Sequence, residues 1–173
     1  MVARLSKVKA EAASVNNAGA LIIAADTTVE LGGRIYGKPA SPHEAAQMLR
    51  DLRGREHHVH GGITFCGIGV EETLTTCTRV WMRGYSDKEI SAYVDTGDPL
   101  DKAAAYAVQH PVFRPVERME GCFANVMGLA LCRLYSALKP HFPLPDPQID
   151  CPHHPEHDCT VEKLVREGLV PGS

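Results

Sequence analysis

At 173 residues the chain can hold one domain with a sizeable core, or one domain and a tail. Apolar content of 44% with 23% charged residues is ordinary for a globular protein, and a net charge of −3 implies no surface built for a polyanion. Small phosphorylated ligands stay open, because a few local lysines suffice for them; no nucleic-acid polymer is expected as a partner. No apolar run approaches the ~20 residues that span a bilayer, so no membrane partner is expected. The opening MVARLSKVKAEAASVNN has no apolar stretch of the secretory kind, and the expected location is cytoplasmic.

Residues 3–16 place Leu5, Val8, Ala12 and Val15 close to one stripe at helical spacing, which predicts a helix. The apolar run Leu21 to Ala25 predicts a buried strand that stops at Asp26. TTVELGGRIYGKP then reads as a short strand, a Gly32–Gly33 turn and a return strand. SPHEAAQMLRDLRG carries full helix punctuation: Ser41 at the N-cap, Pro42 at the first position, Glu44 at the capping-box position and Gly54 as the stop.

HHVHGGITFCGIGV and ETLTTCTRVWMRG are rich in β-branched and aromatic residues with turn residues between them, which predicts two antiparallel strands. SDKEISAYVDTG repeats the helix grammar, with Ser86 as N-cap, Glu89 at the box position and Gly97 as the stop. A polar loop, DPLDKAAAYAVQHP, follows. CFANVMGLALCRLYSALKPHF predicts one long apolar helix ended by Pro140. The domain is therefore placed at residues 1–138, and residues 139–173 read as a Pro-, His- and Cys-rich tail in which TVEKLVREGL can form a short amphipathic helix. Helices alternating with strands, with at least one hairpin, predict an α/β or α+β domain around a mixed sheet.

Asp26 has two readings. A carboxylate at the end of a strand can hold a divalent cation or take a proton from water; it can equally form a turn by accepting from neighbouring backbone N–H groups. Lys38 and Lys102 are flanked by turn residues and can act as point charges toward phosphate, or simply be solvated. Lys9 is a cation on the first helix. Gln109 can read the donor and acceptor edge of a ligand, or cap a strand. Asp98 and Asp101 can form surface ion pairs with Lys102. His57, His58 and His60 read as plain strand residues, with His58 and His60 on one face. Cys66, Cys77, Cys122 and Cys132 are expected to be buried thiols.

In the tail, Cys151, His153, His154, His157 and Cys159 offer five metal-ligating side chains within nine residues. A structural Zn²⁺, a Cys151–Cys159 disulfide and a solvated segment are all open readings.

Four blocks in order, ADT at 25–27, GKP at 37–39, DKA-x-x-Y-x-x-Q at 101–109 and G-x-x-x-NV-x-GL at 121–129, resemble the Maf family of nucleoside triphosphate pyrophosphatases, and the likeness spans residues 4 to about 138. The resemblance implies an α/β fold similar to inosine triphosphate pyrophosphatases, with a twisted mixed sheet flanked by helices and a cleft. It implies cleavage of a nucleoside triphosphate to monophosphate and pyrophosphate with a divalent cation, Mg²⁺ or Mn²⁺. Asp26 matches the family's proton acceptor and possible metal ligand, and Lys9, Lys38 and Lys102 would neutralise the polyphosphate. Thr27 and Gln109 match positions that tune base preference, and this combination resembles the subgroup acting on dTTP and UTP. Asp26 and Gln109 would then face one pocket.

Family members begin with a strand and an S-x-SPRR segment, followed by a metal-supporting Glu, whereas the first residues here match the helix that comes afterwards. The resemblance thus implies an N-terminally truncated domain, with a catalytically impaired nucleotide-binding fragment or paralogue as the alternative. Ala104 stands where the family usually has Gly. Dimers occur in the family, so a homodimer is a further expectation.

Overall fold

Alternation of side chains along two long strands decides where everything else packs. The computed structural model describes residues 1–145, and among them five strands form one sheet. They are β1 (Ile22–Leu31), β2 (Arg34–Tyr36), β3 (Glu56–Gly67), β4 (Val70–Met82) and β5 (Val116–Glu120), in the order β2-β1-β3-β4-β5. The helices are α1 (Val2–Ser14), α2 (Pro42–Leu52), α3 (Asp87–Val94), α4 (Phe123–Val126) and α5 (Leu131–Leu138). The expected α/β architecture of a sheet flanked by helices is present. All pairings between the described strands are antiparallel. Two of them are tight hairpins, with Gly32–Gly33 and Ile68–Gly69 at positive φ in the turns, so antiparallel pairing is forced there.

One face of the sheet carries the apolar cores. Val29, Leu31, Val59, Val80 and Met82 pack under Ala45, Met48, Leu49 and Leu52 of α2 and Ile90 and Tyr93 of α3. Further along, Ile63 and Phe65 pack against Leu134 and Leu138 of α5. The opposite face is polar, with Asp26, Thr28, Glu30, His58 and His60 in its rows, and α1 lies on one end of it.

Helix α1 approaches β3 closely. A β-carbon on Gly62 would stand 2.6 Å from the Val2 carbonyl carbon and 2.9 Å from the Ala3 nitrogen. The Ser6 hydroxyl lies 2.9 Å from Thr64 Oγ1, which in turn bonds Thr73. The buried residues of α1 are Val2, Ser6 and Ala10, whereas Leu5, Val8, Ala12 and Val15 are exposed. The expected apolar stripe is therefore not the packing face; Val2, Ser6 and Ala10, at i, i+4 and i+8, face the sheet, where Gly62 admits the helix backbone.

Other expectations change as well. The strand expected to stop at Ala25 runs on to Leu31, because Thr27, Thr28 and Val29 keep its pairing with β3 unbroken. The single long helix expected from residue 122 is two, α4 and α5, separated around Gly128 at φ +119°. Cys122 and Cys132 are buried as expected, but Cys66 is half-buried and Cys77 exposed. Both N-caps are made, Ser41 Oγ accepting from Glu44 N–H and Ser86 and Glu89 forming a complete capping box; at the first, Glu44 accepts from the Ala40 N–H and not from the N-cap, so the expected box is not closed. No helix among the described residues is long and apolar enough to cross a membrane.

Candidate active site

Asp26 lies in the interior of β1, opposite Gly62 of β3. Residues directly opposed across a strand pair share a face, so Asp26 points to the polar side, beside α1. Lys9, one position from the buried stripe of α1, reaches down to it: Nζ donates to Asp26 Oδ1 at 2.7 Å and to the Ala25 carbonyl at 3.2 Å. The carboxylate is 15% exposed and the lysine 55%, so the pair is reachable from solvent while held by two regular elements. One carboxylate oxygen is engaged by the ammonium; the other has lone pairs for a water proton or a hard cation.

Thr27 points the other way. It opposes Gly61, whose missing side chain leaves room for Asn125 of α4, and Thr27 Oγ1 donates to the Gly128 carbonyl at 3.4 Å. Asn125 is 1% exposed, and its Nδ2 donates to the Val59 carbonyl at 3.0 Å and to Thr78 Oγ1 at 3.1 Å. Thr78 Oγ1 also donates to the Cys122 carbonyl. The G-x-x-x-NV-x-GL block is thus a clamp that seats α4 on β3 and β4 and brings Gly128 to Thr27.

Lys38 and Lys102 lie in two loops that a backbone hydrogen bond joins. β2 ends at Tyr36, opposite Val29 of β1, and the GKP block follows it directly. There the Ala104 N–H donates to the Gly37 carbonyl at 2.9 Å, joining the GKP and DKA blocks. Lys102 Nζ pairs with Asp101 and stands 3.4 Å from Asp98 Oδ1, which raises the Lys102 pKa. The Asp101 carboxyl is held below its usual range, first by its hydrogen bond to Lys102 and also by the charges of Lys102 and Lys38. Lys38 itself is exposed. Gln109 is exposed in the turn that ends the same loop.

His57, expected as a plain strand residue, lies in β3 and faces the core. Its ring is 1% exposed, and Nε2 stands 2.8 Å from the hydroxyl of Tyr106, inside the DKA block. Burial pushes its pKa down to about 4. Period-two reading contains the missing signal, since Val59, Ile63 and Phe65 at the same parity are all core residues. His58 and His60 do share the polar face, with rings stacked at 6.0 Å, and Glu30 Oε2 is 3.4 Å from His58 Nδ1. Among the described residues no group of three or more His, Cys, Asp or Glu side chains is placed to hold a metal ion. Cys151, His153, His154, His157 and Cys159 lie outside the described residues.

A family model described as "Maf-like protein" matches residues 1–141. The chain belongs to the Maf family. Curated relatives agree over most of their length. A dTTP/UTP pyrophosphatase of Carboxydothermus hydrogenoformans is 41% identical over 137 residues, covering 78% of this chain and 74% of the relative. One of Myxococcus xanthus is 43% identical over 145 residues, covering 83% and 74%. One of Dehalococcoides mccartyi is 39% identical over 166 residues, covering 95% and 73%. Within this Maf chain, the matched region includes both halves of the arrangement described above, the Lys9–Asp26 pair and the joined loops of Lys38 and Lys102.

Proposed function

We propose that the chain is a nucleoside triphosphate pyrophosphatase that hydrolyses dTTP and UTP to the monophosphate and pyrophosphate, with Asp26 as the group that activates water. The observation that carries this reading is the carboxylate of a central strand, half-buried on the open polar face, with its charge balanced by a single exposed lysine. Relatives with this printed activity support the substrate class.

In the reaction, water attacks the α-phosphorus and the α–β anhydride bond breaks, releasing pyrophosphate; the water proton passes to Asp26. Polyphosphate competes with Asp26 for Lys9, so substrate binding loosens the ion pair and leaves the carboxylate a better proton acceptor. Lys38 and Lys102, in the joined loops, supply further positive charge for the leaving pyrophosphate. A divalent cation fits the donor set, since one carboxylate with hard oxygens can hold Mg²⁺ or Mn²⁺ when phosphate oxygens and water complete the shell, and it would neutralise phosphate charge. Gln109, with one donor and one acceptor group, suits a pyrimidine edge; an ionised Glu there would offer acceptors alone.

Pyrophosphate release from dTTP, UTP and 7-methyl-GTP in the presence of Mg²⁺ or Mn²⁺ tests the reading. Turnover of the two pyrimidine nucleotides well above 7-methyl-GTP supports it. Nucleotide binding without turnover would make the chain a binding protein and defeat it.

A further inference from the structure

The loop from Asp98 to His110 carries Lys102 and Gln109, and its centre is strained. Ala104 has φ 57° and ψ 22°, and Ala105 follows at φ 62°. Two successive alanines are in the left-handed region, where a β-carbon crowds the next carbonyl. Such geometry persists only when surrounding contacts over-determine it.

Those contacts can be named. The Ala104 N–H is held by the Gly37 carbonyl at 2.9 Å. Tyr93 Oη accepts from the Ala107 N–H at 3.1 Å and donates to Asp98 Oδ2 at 2.6 Å. Between these, Tyr106 ties the middle of the loop to β3 through its hydroxyl, 2.8 Å from His57 Nε2, with the rings edge to face at 5.5 Å. Tyr106 is 6% exposed. His57 meets this bond at a cost: its Nδ1 is buried with no partner among the described residues. An apolar ring would fill the same space without that cost, so packing alone does not account for an imidazole here.

We infer that His57 is a positioning residue for substrate binding, acting through Tyr106 to hold the Ala104–Ala105 turn so that Lys102 and Gln109 keep fixed places. The inference rests on the pyrophosphatase reading for the identity of the ligand, and on geometry alone for the loop.

Tyr106→Phe keeps the ring and removes the hydroxyl; His57→Leu removes the bond from the other side; His57→Gln restores a polar partner. In Tyr106→Phe and His57→Leu, backbone amides of residues 102–109 should exchange hydrogen roughly tenfold faster than in the wild type, with β3 amides unchanged. KM for UTP should rise about fivefold with kcat within about twofold, the size expected of one buried hydrogen bond. His57→Gln should recover most of both. Wild-type exchange in the loop of Tyr106→Phe overturns the inference, and so does acceleration spread equally over β3, which marks a general structural role. If the wild type releases no pyrophosphate, the function reading fails separately. Loop exchange and affinity for α,β-methylene-UTP then decide the inference: both unchanged in Tyr106→Phe refutes it.

Discussion

Asn125 fills the space that a side chain at Gly61 would need: its Oδ1 lies 2.0 Å from where a β-carbon on Gly61 would stand. The contact locks α4 to the middle of the sheet, where the amide bonds Val59 and Thr78. Gly61→Ala should therefore destabilise the fold by about 1–3 kcal/mol through overpacking. Asn125→Leu should cost about 1–3 kcal/mol by stripping a buried donor from its acceptors. Urea unfolding midpoints measure both, and a change within about 0.5 kcal/mol for either would mean that α4 is seated by other contacts.

Strain in the DKA loop makes the opposite prediction for a glycine. Ala104 at φ 57° is fully buried, and the position suits a residue without a β-carbon. Ala104→Gly should raise stability by up to about 1 kcal/mol, the relief of left-handed geometry less the extra chain entropy of glycine. Thermal unfolding checks it; a lower melting temperature would contradict the strain.

Acid should unfold the protein partly through His57. Its pKa is about 4 in the fold, against an ordinary 6.5, mainly because burial disfavours the charged ring, with the charge of His58 adding to the effect. The depressed value means that the unfolded chain takes up the proton first. The contribution of this group is thus complete above pH 6.5 and is lost as pH falls toward 4. Its full size is about 3 kcal/mol, to order of magnitude. Stability of the wild type between pH 7.5 and 4.5 should drop more steeply than that of His57→Gln, and equal slopes would refute the assignment.

Lys9 should matter for substrate far more than for stability. The pair with Asp26 is over half exposed on the lysine side, so Lys9→Met should change unfolding free energy by less than about 1 kcal/mol. KM for UTP should rise by about tenfold or more as a phosphate-facing charge is lost. Steady-state kinetics beside a melting curve separates the two, and an unchanged KM would remove Lys9 from the site.

Helices with local punctuation were legible in the sequence. Ser41 with Pro42, and Ser86 with Glu89, mark their helix starts through bonds made within four residues. The blocks singled out Asp26, Lys38 and Lys102, and the first helix supplies Lys9; the fold pairs Lys9 with Asp26 and joins the loops of Lys38 and Lys102 through Ala104 and Gly37. What was not legible depends on partners distant in sequence. Asp26 looked like a strand terminus because an acid interrupts an apolar run; the strand continues through its pairing with β3, and Lys9, seventeen residues earlier, answers the charge of Asp26. The α1 stripe misled because the close approach of its backbone to Gly62, distant in sequence, sets which face is buried, and that face is Val2, Ser6 and Ala10. The break at Gly128 follows from the Asn125 clamp and the turn of its carbonyl to Thr27, contacts that no helical period encodes.

The central claim is that Asp26 activates the attacking water. Pyrophosphate release from UTP with Mg²⁺, measured for wild type and for Asp26→Asn at matched folding, tests it most directly. The account predicts that kcat falls by about a hundredfold or more in the variant, as expected when a general base is lost, while nucleotide still binds. Equal turnover by the two proteins would contradict it.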